Sequence, residues 1–134
     1  MSEIKFRAWH KFYRHMYYNV QATYDYLCMS PATENIPATY FQDLIDSGDF
    51  EVMQYAKLKD SEGNDIYEGD LVEVKSFGNP IAQVRYVEKD GCWALFHESF
   101  VRSVIQYKRL TAKTIKDCDM KVVGNIYENP QINF

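Results

Sequence analysis

The chain has 134 residues, 46% apolar and 25% charged, with a formal net charge of −4; this suits one globular domain with a single core and excludes a disordered chain. The charge is uneven: residues 1–21 hold four Lys or Arg against one acid, residues 22–70 two against eleven, and residues 71–134 nine against seven. An acidic middle repels phosphate backbones, so any nucleic-acid contact must use the ends, whereas oppositely charged ends and middle suit self-association.

Ile4, Phe6 and Ala8 alternate with Lys5, Arg7 and Trp9, which predicts a first strand. Val20, Ala22 and Tyr24 alternate with Asn19, Gln21, Thr23 and Asp25, which predicts a second between Tyr18 and Tyr26. The intervening Lys11-Phe12-Tyr13-Arg14-His15-Met16 is short enough for a hairpin connection, although it lacks Gly or Asn-Gly. From Pro37 the spacing of Tyr40, Phe41, Leu44 and Ile45 predicts a helix of about three turns that ends before Gly48. So short a helix must be stabilised by docking its apolar stripe, with Asp43 and Asp46 facing away.

Beyond residue 50 the pattern is β, with runs at 50–58, 66–74, 81–87 and 92–96. The turns Asp60-Ser61-Glu62-Gly63-Asn64, Gly78-Asn79-Pro80 and Lys89-Asp90-Gly91 separate them. Residues 101–116 follow neither period, and residues 120–126 give a closing strand that stops at Asn129-Pro130. Short strands at this spacing favour a small barrel or sandwich. The expected architecture is mainly β: an N-terminal β segment with one short helix over residues 1–53 and a β-barrel over residues 54–134, together forming one compact unit. Ile-Tyr-Glu occurs twice, at Ile66-Tyr67-Glu68 before Gly69 and at Ile126-Tyr127-Glu128 before Asn129. Left-handed backbone is predicted at both Gly69 and Asn129.

Four segments carry a resemblance: Ile4-Lys5-Phe6-Arg7-Ala8-Trp9; Met53-Gln54-Tyr55; Leu58-Lys59-Asp60 running through Gly63 to Ile66-Tyr67-Glu68-Gly69-Asp70; and Val123-Gly124-Asn125-Ile126-Tyr127-Glu128-Asn129-Pro130. In this order they resemble the YopX family of phage and prophage proteins. The resemblance implies a mainly β fold with a small SH3-like β-barrel in the C-terminal part, carriage on temperate phages or integrated prophages, and no established biochemical activity. The chain departs from the family pattern at Ala56-Lys57, where relatives usually have Thr-Gly. It departs again at Gln131-Ile132-Asn133-Phe134, where an acid and leucines are more usual, and residues 17–47 do not align with the family.

The residues offer little for chemistry. Glu68 and Asp70, two apart on a strand, would share a face at roughly 7 Å and could serve acid–base work or a hard cation. An Asp after Gly more often binds backbone amides in a turn, and that structural role is favoured for Asp70. His10, His15 and His97 lie in no metal-ligand spacing, and Cys28, Cys92 and Cys118 form neither a disulfide framework nor a zinc clip. Ser99 and Ser103 lie in no nucleophile elbow, and no phosphate-cradling Gly loop occurs. No catalytic, metal or cofactor residue is therefore assigned.

Arg102, Lys108, Arg109, Lys113 and Lys116, near Phe100 and Tyr107, form a basic run with aromatics that suits single-stranded nucleic acid. A neutral explanation is favoured, in which these cations discourage pairing at exposed strand edges. No apolar run approaches the roughly 20 residues of a membrane span, and Met1-Ser2-Glu3-Ile4-Lys5-Phe6-Arg7 has no apolar signal segment, so a cytoplasmic location is expected. The leading expectation is a non-enzymatic, homo-oligomeric interaction module that binds a phage or host protein. One alternative is a nucleic-acid-binding accessory protein using residues 102–116. Another is a metal-assisted hydrolase using Glu68 and Asp70.

Overall fold

A computed structural model describes residues 3–22, 41–75, 80–97 and 108–131. Its strands are β1 (Phe6–His10), β2 (His15–Tyr18), β3 (Phe50–Lys59), β4 (Asp65–Tyr67), β5 (Asp70–Glu73), β6 (Ile81–Val87), β7 (Cys92–Phe96), β8 (Lys108–Arg109) and β9 (Lys121–Asn125). Among the described residues the helices are α1 (Phe41–Asp46) and α2 (Ala112–Cys118), with a 3-10 turn at Val20–Ala22. The chain is mainly β, with two antiparallel sheets of order β2-β1-β3-β4 and β8-β7-β6-β5-β9. It divides into two units, Met1–Tyr55 and Ala56–Phe134.

In the first unit β1 is the central strand, pairing His10 with His15 of β2 on one side and with Phe50 of β3 on the other. Ala8, Tyr17, Val20 and Leu44 are buried together, and Phe6, Phe41, Phe50 and Val52 pack against them. Burial in this aromatic-rich cluster pushes the Tyr17 hydroxyl above its usual pKa, and the nearby Tyr13 adds to the effect. The second strand lies earlier than its predicted position between Tyr18 and Tyr26. Asn19 adopts a left-handed φ of 58° and ends β2, so Val20 is buried from a 3-10 turn rather than by alternation. Residues 23–26 lie outside the described residues.

The described part of α1 is six residues, and the expected start at Pro37 also lies outside the described residues. Leu44 is buried and Phe41 meets Phe6 at 5.0 Å between ring centroids, while Asp43 and Asp46 are exposed as expected. Docking of this kind is what a helix below its self-supporting length requires.

The core of the second unit gathers Ala56, Ile66, Val72, Val74, Ala82, Val84, Leu95, Leu110, Ile115, Cys118 and Met120. The sheet bounds at β6 and β7 coincide with the predicted runs, and the intervening turn places Gly91 at φ 62°. The single run predicted at 66–74 is instead two strands, because Gly69 at φ 88° breaks it and β4 and β5 lie on either side. Helix α2 begins within the stretch that followed neither period and runs two residues past it. Thr111 caps it: its hydroxyl accepts from the Thr114 N–H at 3.1 Å, and the Thr114 hydroxyl accepts from the Thr111 N–H at 2.9 Å. This reciprocal box supplies acceptors for two N–H groups, and α2 then buries Ile115 and Cys118.

Candidate functional site

The most exposed large apolar side chain among the described residues is Phe12, at 81%, followed on this loop by Tyr13 at 51%. Both lie in the four-residue connection between β1 and β2, a turn without glycine. Buried His10 fixes that connection: its Nδ1 accepts from the Tyr13 N–H at 2.9 Å and from the Phe12 N–H at 3.2 Å. The Arg14 N–H donates to the His10 carbonyl at 2.8 Å, and Arg14 takes the left-handed φ of 53° that closes the loop.

Side chains brace the same loop. The Tyr13 ring lies 4.5 Å from the His10 ring, Phe50 meets His10 edge-on at 4.7 Å, and Phe12 meets Tyr13 edge-on at 5.3 Å. At the base, the Lys11 N–H donates to the Asp49 carbonyl at 2.9 Å. The Lys11 ammonium donates to the Gly48 carbonyl at 3.0 Å and pairs with Glu51 at 3.3 Å. Burial pushes the His10 imidazole below its usual pKa, against an opposing pull from Asp49. The neutral form is the one this turn needs, because a protonated Nδ1 cannot accept. The sequence marked this stretch only as a connection; its signal was two adjacent large aromatics where turn residues are normally small or polar.

In the second unit Asp70 has the turn-binding role favoured for it, whereas the strand face expected to be shared with Glu68 does not form. Glu68 and Asp70 do not share one strand face, because the Gly69 turn separates them. Asp70 is buried, and its Oδ2 accepts from the Tyr67 N–H at 2.7 Å across that turn. The Gly69 N–H donates to the Val84 carbonyl at 2.9 Å, and its carbonyl accepts from the Ile126 N–H at 3.0 Å. This places Ile66, Tyr67, Glu68, Gly69 and Asp70 beside the second Ile-Tyr-Glu segment.

That second segment is a turn rather than a strand end. Asn125 Oδ1 accepts from the Tyr127 and Glu128 N–H groups at 3.0 and 2.8 Å. Asn129 is not among the left-handed residues, which corrects the expectation there; its side chain is used instead, Oδ1 accepting from the Asn125 N–H at 3.2 Å. A Cβ on Gly124 would lie 2.4 Å from that Asn129 oxygen, so only glycine fits against it. Pro130 follows directly in the same turn region.

Asp60, which the sequence placed within a turn, accepts four hydrogen bonds. Oδ1 accepts from the Glu62 and Asn64 N–H groups at 2.9 and 2.8 Å. Oδ2 accepts from the Asn64 amide at 3.2 Å and from the Val122 N–H at 2.9 Å, so the β3–β4 turn is tied to β9. Burial pushes this carboxyl upward, but the N–H donors of Val122, Asn64 and Glu62 outweigh it and hold the group below the usual carboxylate range.

The basic run is divided between elements. Lys108 and Arg109 are in β8, Lys113 and Lys116 are exposed on α2, and Arg102, Phe100 and Tyr107 lie outside the described residues. The expectation that these cations line exposed strands is therefore corrected for Lys113 and Lys116, because the Thr111 cap starts a helix before them. Cys92 and Cys118 are free thiols, and Cys28 lies outside the described residues. Among the described residues no three His, Cys, Asp or Glu side chains gather as metal ligands, and no helix is long and apolar enough to cross a membrane.

Among the described residues, two antiparallel sheets, two short helices, and buried His and Asp side chains that hold turns together define a mainly β protein. The chain belongs to the YopX protein family, whose family model matches residues 5–132. Among solved structures it is similar to protein EF1440 from Enterococcus faecalis, with 21% identity over 98% of each chain and a TM-score of 0.60, a likeness of fold. Comparison with curated proteins finds no match.

Proposed function

We propose that this chain is a non-enzymatic interaction module, encoded by a phage or prophage and acting as a homo-oligomer in the host cytoplasm. The observation that carries the reading is Phe12, exposed on a turn that His10 locks from within. Large aromatics held in advance in their binding geometry are typical of interface anchors, because little side-chain freedom remains to be lost on docking. The polar groups with catalytic potential have structural roles: His10, Asp60 and Asp70 each accept backbone N–H bonds.

The tie from Asp60 to Val122, together with the Ser61 N–H bond to the Met120 carbonyl, supports reading the second unit as a small SH3-like barrel. It sets the β3–β4 turn against β9, an end strand of the five-stranded sheet.

Sedimentation across a wide concentration range tests the interaction reading. The wild-type chain should associate as concentration rises, and the Phe12→Ser, Tyr13→Ser double variant should sediment as a monomer with an unchanged circular dichroism spectrum. A wild-type chain that stays monomeric throughout would overturn self-association, and a variant that associates normally would remove the turn from it.

A further inference from the structure

The strand register of the second sheet brings together two arginines that are far apart in sequence. Arg85 of β6 stands opposite Ala94 of β7, and Ala94 stands opposite Arg109 of β8. Residues directly opposite across neighbouring strands share a face, so Arg85, Ala94 and Arg109 form one row, with the arginine backbones roughly 10 Å apart at the usual strand spacing. Both arginines are exposed. The next row on the same face pairs Gln83 with Phe96.

Arg85 is held by neutral partners. Its Nη2 donates to Gln83 Oε1 at 2.8 Å, and its guanidinium carbon lies 4.7 Å from the centroid of the Phe96 ring. By contrast, Lys5, Lys11, Lys59, Lys75 and Lys121 each sit on a carboxylate. Among the described residues, neither Arg85 nor Arg109 has an acid within ion-pair distance. The result is an oriented Arg85 guanidinium plane that gives one N–H to Gln83 among the described residues, with a second exposed arginine in the same row.

We propose that Arg85 and Arg109 form a binding site for single-stranded nucleic acid, with phosphate oxygens accepting from the two guanidinium forks and a base stacking beside the Arg85–Phe96 pair. The planar fork matches phosphate, and guanidinium planes and aromatic rings are the surfaces on which unpaired bases stack. A duplex hides its base faces, so it can engage the charges but not the stack. The site is independent of the Phe12 turn, and of its parts only Arg109 belongs to the basic run legible in the sequence.

The test is fluorescence anisotropy of a labelled pyrimidine single strand, titrated with the full-length protein over a series of salt concentrations. R85Q and R109Q should each weaken binding about fivefold to tenfold at low salt and lower the salt slope by about one. R85K, which keeps the charge and loses the planar fork, should weaken binding by about threefold with the slope unchanged. The Phe12→Ser, Tyr13→Ser variant should bind as wild type does, which separates failure of this site from failure of the interaction reading. Wild-type affinity in a folded R85Q, R109Q double variant would overturn the site. So would wild-type affinity in R85K, should the double variant fail to fold. Duplex of equal length binding as tightly as the single strand would overturn the choice of ligand.

Discussion

Two turns in this molecule use one device with different reach. In the first unit His10 Nδ1 accepts the N–H groups two and three residues ahead; in the second Asp60 Oδ1 accepts those two and four residues ahead. The carboxylate has a second oxygen, which reaches Val122, 62 residues along the chain. Imidazole offers one acceptor, and only when neutral. The Asp60 turn is thereby a long-range closure, whereas the His10 turn is a local brace that displays Phe12 and Tyr13.

The largest effect should come from breaking the closure. Asp60→Ala removes four hydrogen bonds to an ionised acceptor and leaves the Val122 and Asn64 N–H groups without their partner, so a loss of about 3 kcal/mol or more is expected. Asp60→Asn keeps a carbonyl oxygen for part of the network and should lose about half as much. Urea denaturation checks both; equal stability of Asp60→Ala and wild type would reduce this carboxylate to a surface turn residue.

Acid should separate the two turns. The His10 pKa in the folded chain lies below its ordinary 6.5, so the unfolded chain binds more protons between those values and stability rises with pH there. The brace is complete above 6.5 and is lost as pH falls through the folded value. Asp60 also titrates below its ordinary value, in its case 3.8, so its contribution is complete above 3.8 and is lost only as pH falls further. Hydrogen exchange at about pH 5 should therefore show the Phe12 and Tyr13 amides less protected than at neutral pH and the Asn64 and Val122 amides unchanged. Simultaneous loss at all four amides would show that the turns open as one.

The contrast also explains what the sequence disclosed. β6 and β7 were legible because clean apolar runs flank a Gly91 turn, and the Asp60 turn because its residues are standard turn formers. α2 was obscured because Thr114 stands where a capping box usually has Glu or Gln, and because only Ile115 and Cys118 face the core. The two Ile-Tyr-Glu segments share letters but not structure. Ahead of the first, Asp65 pairs with Lys59 and the chain stays extended; ahead of the second, Asn125 accepts two N–H groups and the chain turns. The row from Arg85 to Arg109 depends on strand register, and the Phe12 turn on a histidine acting as acceptor; neither is encoded in local pattern.

The smallest effect concerns a left-handed residue that no comparable brace supports. Arg14 is closed into its turn through His10, and Asp119 caps α2, but Lys57 takes φ 61° within β3 with an exposed side chain. The backbone there has a conformation that glycine adopts freely. Left-handed geometry costs a non-glycine residue about 1–2 kcal/mol, while glycine gives back about 0.5–1 kcal/mol through the greater freedom of the unfolded chain. Lys57→Gly should therefore stabilise the protein by about 0.5 kcal/mol, and Lys57→Ala, which keeps the strain, should leave stability nearly unchanged. A lower denaturation midpoint for Lys57→Gly would mean that the lysine side chain contributes packing or charge that outweighs its strained backbone.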